Sequence, residues 1–106
     1  MFARSVSFHL KPGRAAAFTQ LLDKDIIPVL RKQKGFVDEI ALVAPGGADV
    51  VGISVWDLKE DAETYARGAY PGVLKALEQV VEGTPQVQAY EVSNSTFHKI
   101  AGRATA

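Results

Sequence analysis

Val50 to Trp56 is apolar or small on both residue parities, with Val51, Ile53 and Val55 on one and Val50, Gly52, Ser54 and Trp56 on the other. It passes through Asp57 directly into the charged stretch Lys59-Glu60-Asp61-Ala62-Glu63-Thr64-Tyr65. A strand of this kind needs cover on both faces of its sheet, and its abrupt end fixes where the next helix begins. Asp57 is placed to cap that helix, with Glu60 three residues on, and Glu60, Asp61 and Glu63 put negative charge at its positive end.

The flanking segments complete an alternating series. From Phe2 to Leu10, residues Phe2, Val6, Phe8 and Leu10 share one parity and Ala3, Ser5, Ser7 and His9 the other, a strand period; Arg4 is the exception, a charge on the apolar side. After Lys11-Pro12-Gly13, the apolar residues Phe18, Leu22, Ile26, Val29 and Leu30 recur at helical steps between Arg14 and Gln33. Pro28 lacks an N–H for the carbonyl of Lys24, which predicts a kink or break near Ile27, and Gly35 reads as a left-handed cap. Phe36 to Ala44 and Val50 to Trp56 form a hairpin across Pro45-Gly46-Gly47-Ala48-Asp49. The second helix runs on to Val81, divided at Gly68 and Pro71-Gly72 and stopped by Glu82-Gly83-Thr84-Pro85. Gln86 to about Phe97 is the fourth strand. Its alternation is poor, with Val87 and Ala89 on one parity and Tyr90 and Val92 on the other, which calls for a bulge or for cover on both faces.

Strand, helix, strand, strand, helix, strand is the split βαβ order, so the expected fold is α+β and ferredoxin-like: a four-stranded antiparallel sheet with both helices on one face. The 106 residues suffice for one domain, residues 1–106, with a C-terminal tail from about residue 98. Two helices leave the other sheet face bare. A second copy of the chain is the simplest cover, giving a homodimer with an isologous interface; the alternative is that small residues leave a wettable face.

Composition removes several functional classes. Twelve basic and twelve acidic residues cancel, and the longest basic run, Arg31-Lys32-Gln33-Lys34, offers no footprint for nucleic acid or an acidic membrane. No apolar run approaches the roughly 18 residues that span a bilayer, and Met1-Phe2-Ala3-Arg4-Ser5 opens a strand rather than a signal peptide, so a cytoplasmic protein is expected. Without cysteine there is no disulfide, thiolate metal site or cysteine nucleophile.

Arg31-Lys32-Gln33-Lys34-Gly35-Phe36 at the end of the first helix, Val55-Trp56-Asp57 with Glu60-Asp61-Ala62, and Gln88-Ala89-Tyr90-Glu91-Val92 carry a likeness that extends from Phe2 to about His98. In these the chain resembles the antibiotic biosynthesis monooxygenase family, small proteins whose two ferredoxin-like sheets join as a dimeric α+β barrel. The resemblance implies cofactor-independent oxygenation of phenolic or quinol-type aromatic compounds. Its haem-degrading branch is disfavoured: strand one offers Val6 and Ser7 where that branch resembles an asparagine pattern, and Glu60 to Glu82 contains no histidine.

Candidate chemistry is spread over few side chains. Trp56 can form a stacking wall for a flat aromatic substrate, or else seal the core and anchor the turn after it. Tyr65 and Tyr70 can offer phenolic hydroxyls to a substrate oxygen or serve as packing residues, and Phe18 and Leu22 complete an apolar lining. His9 can act as a base near neutral pH, although a histidine at a strand end is more often solvated or interfacial; His98 reads as a tail or dimer contact. No ligand spacing for a metal is present, and no cofactor is expected. Two readings follow: a cofactor-independent monooxygenase acting on a small aromatic ligand, or a non-catalytic, stress-associated binding module using the same pocket.

Overall fold

In the computed structural model, which describes residues 1–97, β1 (Phe2–Leu10) lies between two partners. It pairs antiparallel with β3 (Asp49–Trp56) on one edge and with β4 (Val81–Glu91) on the other, while β2 (Phe36–Val43) pairs antiparallel with β3. The strand order is β2-β3-β1-β4, the α+β, ferredoxin-like sheet that the element order predicts. His98, read from sequence as a tail or dimer contact, lies outside the described residues.

Pro28 acts by widening the first helix. Helix α1 (Ala15–Leu21) gives way to a π-helical turn at Leu22–Ile26 before α2 (Ile27–Arg31), and the N–H of Ile27 donates to the carbonyl of Leu22, five residues back. A ladder that meets a residue without an N–H can slip by one position, and the expected break takes that form. Beyond it Gly35 has φ +77°, and a Cβ there would overlap the Asp61 carboxylate. Only glycine lets the chain turn into β2 that close to the second helical segment.

The second segment divides as expected, into α3 (Lys59–Arg67) and α4 (Tyr70–Leu77), with Pro71 in the first turn of α4. Three expectations fail, one of them the end of the fourth strand, expected near Phe97 and found at Glu91. Asp57 does not cap α3: Leu58 holds the N-cap position with no side-chain bond, and the Asp57 N–H donates to the Gly35 carbonyl at 2.8 Å, fixing it to the preceding turn. The helix stops at Leu77, and Val81 to Pro85 belong to β4, where the register against β1 shifts between Ser7 and His9 and Gly83 has φ +79°. This bulge absorbs the Gly-Thr-Pro segment into the strand. Downstream, Val87 is 44% and Tyr90 52% exposed, so the mixed alternation there reflects lack of cover in the single chain.

The core lies between the helices and one face of the sheet. Phe8, Leu10, Val50 and Trp56 from the strands meet Phe18, Ile26, Leu30, Ala62, Tyr65, Tyr70, Val73 and Leu77 from the helices. On the opposite face Ile40 and Leu42 are exposed beside half-buried Val51, Ile53 and Val55. Among the described residues no helix is long and apolar enough to cross a membrane.

Candidate functional site

A recess opens between sheet and helices because the sheet presents small side chains there. In register, Glu39 of β2, Ser54 of β3 and Arg4 of β1 form one row across the sheet, and Ala41, Gly52 and Val6 form the next. Phe18, Leu22, Ile26 and Leu30 from the first helical segment and Tyr65, Tyr70, Val73 and Leu77 from the second complete the lining. Leu22 and Ile26 bound the π-helical turn, so the irregularity imposed by Pro28 falls at the recess wall. The cavity is about 50 Å³, room for a few waters or one small polar group.

An aromatic column stands beside it. Phe36 meets Trp56 edge-on at 5.6 Å between ring centroids, Trp56 stacks on Tyr65 at 4.9 Å, and Tyr65 meets Tyr70 at 5.8 Å. The Arg4 guanidinium caps the column, 4.4 Å from the Tyr70 ring centroid and 5.4 Å from that of Tyr65. Arg4 is 7% exposed, and a desolvated cation over an aromatic face gains about 2 kcal/mol from each good contact. The Tyr70 hydroxyl is buried and makes no hydrogen bond of ordinary geometry, although the Arg4 guanidinium over its ring is close enough to favour the phenolate by charge and by hydrogen bonding to the oxygen.

Burial sets the protonation states. The Glu39 carboxyl is pushed up to about 8, first by desolvation and then by the neighbouring Asp38 charge. Burial also raises Tyr65 well above its ordinary value; the Arg4 charge opposes this, and Glu39 and Tyr70 add to it. Tyr70 is raised by burial and drawn back by Arg4. At neutral pH both phenols are therefore hydrogen-bond donors, and Glu39 sits near the point where it can hold or release a proton.

Of the residues singled out from sequence, Tyr65, Tyr70, Phe18 and Leu22 come together around this recess. Trp56 does not line it. It is 0% exposed, its indole N–H donates to Ser54 Oγ at 2.9 Å, and it stands behind Tyr65, where a ring this large seals the core. His9 is also elsewhere: its parity puts it on the sheet face away from the helices, largely exposed, with Nδ1 against the Asp49 carboxylate. Arg4 and Glu39 were the residues missed as site candidates. Arg4 carried a signal, a charge on an apolar parity; Glu39 had a weaker one, since its parity in β2 depends on a register shift between Phe36 and Asp38. Among the described residues no group of three His, Asp or Glu side chains could hold a metal ion.

No family model matches the chain, and no curated relative matches it. Solved structures do. It is similar to a monooxygenase, ActVA-Orf6 of Streptomyces coelicolor in complex with nanaomycin D, at TM-score 0.75 and 17% identity, over 89% of this chain and 88% of that one. SnoaB, a cofactor-independent oxygenase from Streptomyces nogalater, matches at TM-score 0.71 and 18% identity, over 90% and 95%. A Deinococcus radiodurans protein assigned by name to the antibiotic biosynthesis monooxygenases matches at TM-score 0.72 and 19% identity, over 90% and 95%. The chain has the fold of the antibiotic biosynthesis monooxygenases. At these identities the likeness is one of fold, and a fold hosts many chemistries, so the function must be argued from the recess.

Proposed function

We propose that the chain is a cytoplasmic, homodimeric, cofactor-independent monooxygenase acting on a small phenolic or quinol-type aromatic compound. The observation that carries this is Glu39, a carboxyl held near pKa 8 in an apolar recess that also contains two protonated phenols. Such a carboxylate can take a proton from an acidic ring O–H or C–H, and the Tyr65 hydroxyl can donate a hydrogen bond to the anion that forms. The anion supplies the electrons to dioxygen; one oxygen atom stays on the ring carbon and the other leaves as water. Dimerisation is supported by the apolar open face, where Ile40 and Leu42 are 44% and 49% exposed.

Oxygen uptake with an anthrone or quinol tests the reading. Wild-type protein is expected to accelerate uptake, Glu39→Gln to lower kcat by about 100-fold with little change in KM. An unchanged kcat in Glu39→Gln would remove Glu39 from the chemistry. A second reading, a non-catalytic binding module, is favoured by the sealed Trp56 and by a cavity of about 50 Å³, too small for a fused ring until the helices part. It requires saturable binding with no uptake.

A further inference from the structure

Arg4 is a buried charge, among the described residues, that the packing of the fold does not call for. It is 7% exposed, on the helix-facing side of the central strand β1, and lines the recess. Among the described residues no carboxylate lies within 4 Å of it: Glu39 shares its row across the sheet but is two strands away, about 10 Å between backbones. The faces of Tyr65 and Tyr70 are its neighbours, and ring faces accept none of the in-plane N–H bonds that a guanidinium directs outward; the Tyr70 oxygen can engage at most part of that fork, and leaves its own proton to donate. Beside it is a second buried donor without an acceptor, the Tyr70 hydroxyl.

We propose that the recess binds an aromatic acid, whose carboxylate enters the cavity and accepts hydrogen bonds from the Arg4 guanidinium and the Tyr70 hydroxyl. Two donors and one cavity lack the same thing, a planar acceptor with two oxygens. The volume agrees: about 50 Å³ accommodates a carboxylate-sized group and leaves the ring to seat where the helices give way. A carboxylate matches the fork of one arginine in two parallel bonds, which the single basic residue on this lining can supply. This inference deepens the monooxygenase reading by naming a substrate class for the same recess, and rests on that reading only for the ring.

Calorimetric titration with 1-hydroxy-2-naphthoate and with its methyl ester, in nitrogen-purged buffer so that turnover plays no part, separates the two ideas. The acid is expected to bind at least 10-fold more tightly than the ester. Arg4→Met should erase that preference, and Tyr70→Phe should reduce it several-fold. Should Arg4→Met fail to fold, the wild-type pair still decides, supported by a rise in Tm with the acid and none with the ester. Equal affinity for acid and ester, binding of neither, or an acid preference that survives Arg4→Met would each overturn the proposal. Absent oxygen uptake together with a retained acid preference would sink the oxygenase reading and leave this one standing.

Discussion

Glu39→Gln should make folding stability almost independent of this position's protonation. In the folded chain Glu39 holds its proton to about pH 8, against 4.5 for the exposed side chain. The sign follows from linkage: between those values the unfolded chain has ionised the group and the folded chain has not. The folded state is thus at its best below pH 4.5 and loses stability as pH climbs toward 8, after which the loss is complete. At 1.36 kcal/mol for each pH unit, the window from 4.5 to about 8 gives a ceiling of about 5 kcal/mol. Because Glu39 is half-buried rather than sealed, water screens part of this, and roughly 2–3 kcal/mol is the working expectation. Glutamine keeps the shape and never ionises.

Urea unfolding of both proteins at pH 4, 6, 7.5 and 9 measures the effect. At pH 4 the two should agree within about 0.5 kcal/mol; at pH 9 the variant should be the more stable by roughly 2–3 kcal/mol. Asp38→Asn, which removes the second cause of the raised value, should move the midpoint of the wild-type loss to lower pH. A constant offset between wild type and Glu39→Gln at every pH would refute the claim that burial holds this carboxyl neutral, and the assignment of Glu39 as a base would go with it.

The aromatic column and its turn give three more tests. Tyr70→Phe removes a buried hydroxyl that has no partner, so Tm should rise, by the equivalent of about 1 kcal/mol, even as aromatic-acid binding weakens; a fall in Tm would show that the hydroxyl is satisfied. Trp56→Ala leaves a large void behind Tyr65 and strips Ser54 of its donor, and should cost about 3–5 kcal/mol in urea unfolding; a loss below 1 kcal/mol would place the indole in a replaceable position. Gly35→Ala meets both a φ of +77° and the Asp61 carboxylate, so it should cost more than the roughly 1 kcal/mol of a positive-φ glycine alone, a threshold that thermal unfolding can read.

The fold was legible because each element answers to a local rule. Period-two alternation from Phe2 to Leu10 and the Pro-Gly-Gly hairpin before Asp49 specify strands whatever surrounds them. Pro28 announced a disturbance from its missing N–H alone, although sequence could not say that the chain would respond with a π-helical turn. The errors have a common cause. Asp57 has the right side chain for a cap, but its backbone is tied to the Gly35 carbonyl, a partner 22 residues away in sequence, and the N-cap position falls one residue later on Leu58, while Glu82 to Pro85 look like a helix stop until β1 offers them a bulged partner. Tertiary pairing overrode local signals in both places.

The site shows the same division from the other side. Tyr65, Tyr70, Phe18 and Leu22 could be found because recess and core draw on the same apolar faces, and the sequence marks those faces well. Trp56 and His9 were attractive for their chemistry and misplaced by geometry: one is sealed behind Tyr65, the other stands on the far face of the sheet. Arg4 had been visible throughout as the one break in the alternation of β1. In a strand where every other position obeys the pattern, a buried cation is not explained by stability, since an apolar residue of similar volume would pack there at lower cost. A local rule broken at a net cost that the two ring contacts only partly offset is expected where a ligand supplies the missing term, and this is why the test of Arg4 is made on a ligand's charge and not on the folding of the chain.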